Sequence, residues 1–166
     1  MEKSIKNSDI VLFWRGLQAV SNQDDLHRRL AYGIARNIDR VKPIVTALEE
    51  ASKMDEEFGK KRAELAKKYA KKDENGDPVS LPGNQGLQIG DMVAFNQAIE
   101  KLKDETGQRK KEKEIEETLD AEERLDIYMV PYKCIVKSET KLTGNQINGI
   151  LPMLEEPTDE DFENED

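Results

Sequence analysis

Between Leu26 and Lys72, apolar residues recur at steps of three and four: Leu26, Leu30, Ile34, Ile38, Val41, Val45, Leu48 and Ala51. After a weaker patch the stripe resumes with Phe58, Leu65 and Tyr69. Such steps lay one apolar stripe along a helix, so the stretch predicts one very long amphipathic helix. At about 1.5 Å per residue it would run roughly 70 Å, too long to hide in a compact domain of this size. It therefore needs a partner helix, from its own chain or another. Pro43 lies inside it, removes a backbone donor and crowds the carbonyl of Asp39, which predicts a kink there or a break into two helices.

On either side the pattern changes period. Asn7 or Ser8 can cap a first helix with Asp9 in its first turn, and its face is Ile10, Phe13, Trp14, Leu17 and Val20. Ser21 to Asp25 reads as a turn in which Asp24 or Asp25 caps the long helix. Asp73-Glu74-Asn75-Gly76-Asp77-Pro78 stops that helix, and a loop with Pro82, Gly83, Gly86 and Gly90 leads to Asp91, the cap of another. Its apolar positions are Met92, Phe95, Ile99 and Leu102. Beyond Gly107 the chain is highly charged, with Ile115 and Leu119 as apolar points, and reads as an exposed helix. Leu125 to Val136 is rich in strand formers, with Pro131 making it an edge strand or a bent pair. A last helix starts at Thr143, where Gln146 stands at capping-box spacing; Ile147, Ile150, Leu151 and Leu154 form its face, and Pro152 shortens or bends it.

The two long helices fit each other as an antiparallel hairpin. With facing residue numbers adding to about 164, Tyr69 meets Phe95 and Leu65 meets Ile99. The same register sets Glu49, Glu50 and Asp55 to Glu57 against the basic run Arg109 to Lys113, so apolar and charge patterns agree on one alignment. The fold class is mainly α: a long hairpin (25–72 with 91–124), a short N-terminal helix, and a small strand-plus-helix element (125–154). Residues 1–154 are expected to form a single elongated domain, followed by an acidic tail, 155–166.

Composition sharpens this picture. Only 36% of residues are hydrophobic and 37% are charged, which suits extended helices with a narrow seam better than a thick core. The net charge is −9, but eight acids lie in the tail with no Lys or Arg, which leaves the body near neutral at −1. That tail is too acidic and too poor in apolar residues to fold alone. Cys134 is the only cysteine, so no intramolecular disulfide forms. No signal peptide is indicated, and the longest apolar runs, Ile10 to Trp14 and Ile127 to Tyr132, fall far short of the ~20 residues of a membrane span.

The residues form no catalytic, metal-binding or nucleotide-binding motif. Asp73, Asn75 and Asp77 resemble the first positions of a calcium loop, but Pro78 stands where glycine is needed and Asn84 where a bidentate Glu is needed. His27 and Cys134, the sole histidine and thiol, are too few for zinc and lack an orienting context as a nucleophile pair. Gly83, Gly86 and Gly90 match no phosphate-binding spacing. Lys60 to Lys72 and Lys101 to Lys113 are basic stretches, but the body is neutral and the second stretch is interleaved with acids, which disfavours nucleic acid as a partner. The reading has no catalytic residues, metal or cofactor: not an enzyme.

Three phrases carry a resemblance: Lys68-Tyr69-Ala70-Lys71-Lys72-Asp73-Glu74-Asn75-Gly76, Asp91-Met92-Val93-Ala94-Phe95-Asn96 and Leu142-Thr143-Gly144-Asn145-Gln146. In this order, with a short helix before and an acidic end after, the chain over 8–156 resembles a family of small bacteriophage proteins of unknown function. The charged insertion from Gly107 to Arg124 and the acidic tail depart from that pattern. The family has no established active site, so no residue roles carry over. The resemblance implies a phage protein; the missing chemistry and a helical seam that one chain covers only in part point to a non-catalytic structural or assembly protein, in the host cytoplasm or the virion, that contacts phage structural proteins or itself. The proximal half of the long helix and the first helix leave a seam needing cover, so Phe13, Trp14, Leu17, Leu30, Ile34 and Ile38 are the expected partner-binding residues. The alternative is a host-directed inhibitor whose acidic tail occupies a basic or nucleic-acid-binding host surface.

Overall fold

The computed structural model describes residues 1–161; of the acidic tail, Phe162 to Asp166 lie outside the described residues. The elements are β1 (Glu2–Lys6), α1 (Asn7–Ser21), α2 (Arg28–Ala51), α3 (Glu56–Tyr69), α4 (Met92–Glu105), α5 (Gln108–Asp120), β2 (Glu122–Asp126), α6 (Lys133–Val136) and α7 (Gly144–Ile150). Single 3-10 turns follow at Leu151–Met153 and Asp159–Asp161. The expected class, mainly α, is what the chain adopts. In place of one body over 1–154, contacts gather into two compact units. A terminal unit joins Met1–Ala51 to the chain from Glu117 onward, and a central unit spans Ser52–Glu116.

The long helix is therefore two helices, and the break is not at Pro43. Helix α2 is continuous through Pro43, which sits on the exposed side together with Asp39, so water can satisfy the carbonyl that loses its donor. The break falls at 52–55, where the Asp55 carboxylate accepts from Phe58 N–H at 3.0 Å and caps α3. A capping side chain offers the backbone an alternative to continuing the previous helix. The return leg is also divided: the Thr106 hydroxyl bonds back to the Leu102 carbonyl, and Gly107 at φ +73° turns the chain into α5. Helix α2 itself starts at Arg28, capped by His27 rather than Asp24 or Asp25, with the ring Nδ1 accepting from Arg29 N–H.

In the terminal unit, α1 packs on α2 and on α7, and α6 and β2 also lie against α2. Ile10, Phe13, Leu17, Val20, Leu30, Ile34, Val41, Ile127, Val130, Ile150 and Met153 make one buried core. The α1–α7 crossing is set by glycines: a Cβ on Gly16 would lie 2.1 Å from the Gly149 carbonyl oxygen. The expected strand at 125–136 is displaced. Strand β2 takes in only its first two residues, Leu125 and Asp126, and pairs antiparallel with β1, Lys3 facing Leu125, a partnership the polar N-terminal residues did not announce. Residues 127–132 are instead pinned irregularly. The Asn37 amide, buried to 1% exposure, brackets Tyr128, donating to its carbonyl at 3.0 Å and accepting its N–H at 2.8 Å. Val130 and Leu154 form a parallel bridge, and Pro131 opens the turn into α6. At α7 the Thr143–Gln146 capping box forms as read.

In the central unit, α3 and α4 pack as the antiparallel pair expected, with the Tyr69 and Phe95 rings edge to face at 6.2 Å. The connecting loop is more ordered than its glycines suggest. Residues 69–72 bond to both 77–79 and 88–90, and 79–81 to 86–88, giving a small irregular ladder. Several of the charges that the register set face to face have partners nearer by. Glu56 and Glu57 pair with Lys60 and Lys61 one turn on, and Arg109 pairs with Glu100 and Asp104.

Candidate protein-interaction surface

Of the six residues expected to meet a partner, Phe13, Leu17, Leu30 and Ile34 are buried inside the terminal unit, and Trp14 and Ile38 pack against that core. The seam is covered by the chain itself: α7 returns onto α1, and Val130 and Met153 reach over α2 at Gly33. Of the six, Phe13 also lines a groove on the surface of this unit. The sequence displayed the stripe but not what would cover it.

The exposed apolar residues lie elsewhere. Leu12, at 59% exposure, and Leu151, at 56%, both line a groove of about 640 Å³ between β1, α1 and the end of α7. Phe13, Ile5 and Pro152 complete its apolar lining, and Lys3 donates to the Pro152 carbonyl at 2.9 Å. Leu12 falls off the core stripe of α1, between Ile10 and Phe13, and that misplacement was its only signal in the sequence.

One wall of the groove is a strand edge. Met1 exchanges both backbone bonds with Ile127, and Asn7 N–H donates to the Ala121 carbonyl at 2.9 Å. In an antiparallel ladder alternate residues face the partner, so Met1, Lys3, Ile5 and Asn7 face β2 while Glu2, Ser4 and Lys6 present their backbone groups outward. Among the described residues no partner takes the outward N–H groups of these three, nor the carbonyls of Glu2 and Ser4. The end of the sheet is anchored on α2 by Asp126. Its carboxyl is held below the usual range, chiefly by the hydrogen bond from the Met1 amino group and then by the Arg40 guanidinium at 3.0 Å.

The central unit offers a second concavity, about 670 Å³ between α3 and α4. Lys61, Lys68 and Lys101 share it with Glu64 and Glu105, and the unit as a whole has fourteen basic and fourteen acidic side chains. So mixed a surface lacks the one-signed field that gathers phosphates. Leu81, Met92 and Val93 are exposed in the same unit.

The remaining candidates have structural employment. Asp73 closes its own turn, one carboxylate oxygen accepting from Asn75 and Asp77 N–H at 2.9 Å each, as a helix stop does. Burial pushes the Cys134 thiol above its usual range, against the pull of Arg29, Lys133 and Lys137, which keeps it protonated and a weak nucleophile at neutral pH. His27 backbone N–H donates to Ser138 Oγ, which itself donates to the Cys134 carbonyl, so both belong to one backbone brace. Among the described residues, no three His, Cys, Asp or Glu side chains gather as a metal site would require. No helix there is long and apolar enough to cross a membrane. The chain matches no protein-family model, no curated protein and no solved structure.

Proposed function

We propose that this chain is a non-catalytic bacteriophage protein, a virion component or assembly factor, that works in the host cytoplasm through contacts with other proteins. The observation that carries the contact role is the groove beside β1. There two exposed leucines lie next to a strand edge with unpaired backbone donors and acceptors. Apolar surface rimmed by charge and backed by hydrogen-bonding groups is what a protein partner recognises. The phage assignment rests on the resemblance of the three quoted phrases. All of them fall at helix ends: the α3 stop closed by Asp73, the Asp91 cap of α4 and the Thr143 capping box of α7.

Cross-linking mass spectrometry on phage-infected cells and on purified particles tests the reading. Cross-links from the β1 groove to capsid or tail proteins, or to their assembly intermediates, support it. Absence from particles and intermediates, with capture of a host enzyme that disappears when residues 155–166 are removed, overturns it in favour of a host-directed inhibitor.

A further inference from the structure

We infer that a second copy of this chain occupies the outer edge of β1, antiparallel and two-fold symmetric about Ser4, so that two two-stranded sheets merge into one of four strands. The inference rests on the same groove as the proposed function and names its occupant: a chain that stays monomeric while this groove cross-links to a capsid or tail protein overturns the inference and leaves the proposed function standing.

The ladder sets the first condition. Because Glu2, Ser4 and Lys6 are the outward residues, only they can form hydrogen-bonded pairs with an added strand. Of the registers that pair these residues with one another, the one centred on Ser4 keeps the whole five-residue strand overlapped. It sets Glu2 against Lys6 of the second copy, Ser4 against Ser4, and Lys6 against Glu2. Centring on Glu2 or Lys6 would bring like charges together, which is unfavourable across a sheet.

Charge then selects the occupant. Glu2 has no ion-pair partner among the described residues, while on the same exposed face Lys6 bridges Asp120 at 2.5 Å and Ser4 Oγ donates to Glu122, so Glu2 of the second copy would join an existing Lys6–Asp120 pair. Lysines on an edge strand ordinarily repel an incoming strand. Here the two-fold meets each Lys6 with a carboxylate, so the sequence Glu-Lys-Ser-Ile-Lys complements its own reverse.

The opposite face of the strand agrees. Lys3 and Ile5 are the half-buried residues of β1, and in this register Ile5 faces Lys3 of the second copy. The added strand would overlie the groove that Leu12 and Leu151 line, covering both. A two-stranded sheet is marginal by itself, and a four-stranded one is a more ordinary sheet.

Sedimentation velocity of the full chain over a concentration series tests this directly. The wild type is expected to dimerise. Ser4→Pro removes an outward N–H that β2 does not use, so it should abolish the dimer while Trp14 fluorescence stays unchanged and the monomer loses only the exposed Ser4–Glu122 bond. Should Ser4→Pro not fold, charge reversal decides. Glu2→Lys or Lys6→Glu alone turns two attractions into two repulsions and should raise the dimer dissociation constant by about tenfold or more, and the double swap should restore it. A wild type that stays monomeric throughout overturns the inference, as does a dimer indifferent to both Ser4→Pro and the charge reversals.

Discussion

Gly16 and Gly149 meet backbone to backbone where α1 crosses α7, so closely that a Cβ on Gly16 would overlap the Gly149 carbonyl and one on Gly149 would lie 2.7 Å from the Gly16 Cα. Backbone atoms cannot swing aside as a flexible side chain does. Gly16→Ala or Gly149→Ala must therefore separate the helices, at the upper end of the ~1–3 kcal/mol that overpacking commonly costs. Gly144→Ala, in the same α7 but facing open space, should instead be neutral or stabilising by up to about 1 kcal/mol. Urea unfolding followed through Trp14, the only tryptophan, reports the terminal unit. Equal effects at Gly16 and Gly144 would refute the crossing described.

Asn37 substitutes for a neighbouring strand by holding both backbone groups of Tyr128. Asn37→Leu keeps the branched shape but adds bulk and strands a buried donor and acceptor, at about 1–3 kcal/mol each. The expected loss is ~2–4 kcal/mol in the same urea experiment, and a loss below about 1 kcal/mol would mean that water replaces the amide.

The Arg109 cluster makes the central unit sensitive to acid. The carboxyls of Glu100 and Asp104 are held below their ordinary values of 4.5 and 3.8, in each case first by the hydrogen bond from Arg109; for Glu100, Lys103 also contributes. A lowered folded value means stability present above the unfolded value and lost as pH falls through the folded one. Thermal unfolding followed by circular dichroism should therefore weaken from about pH 4.5 downward. Arg109→Met should flatten that acid limb, its loss showing at neutral pH and vanishing as the carboxyls protonate, and the loss should be small, since all three groups are exposed.

The Tyr69–Phe95 contact is an edge-to-face pair between half-buried rings. A double-mutant cycle with leucine at each position should return a coupling near 0.5 kcal/mol, the low end of the ~0.5–1.5 kcal/mol range for such pairs. Zero coupling would indicate that the two helices slide on each other.

What the sequence made legible was local. The capping box at Thr143, the Asp91 cap, the stop at Asp73 and the core stripe of α1 all form as their spacing indicates, because caps and periodicities act within a few residues. The Tyr69–Phe95 register was also readable, since one loop separates the two helices. The β1–β2 pairing joins residues more than a hundred positions apart, and Glu2 to Lys6 has a single Ile to suggest a strand. Asn37 looked like an ordinary polar residue on an amphipathic helix; only its position under Tyr128 makes it a core residue. The cover of the α1 and α2 stripe was hidden for the same reason. Phe13, Leu17, Leu30 and Ile34 were correctly read as needing cover, but that cover arrives from Ile127 to Met153.

The terminal unit is built from both sides of an insertion: β1, α1 and α2 wait for β2, α6 and α7, which follow only after Glu117. During synthesis the central unit can fold as soon as it emerges. The stripe of α1 and α2 stays uncovered until the last helix leaves the ribosome. Loop closure over that separation slows the step further. A newly made chain therefore passes through a period when its stickiest surface is open while a neighbouring portion is already folded. Chaperone binding and degradation would act on this chain chiefly in that interval.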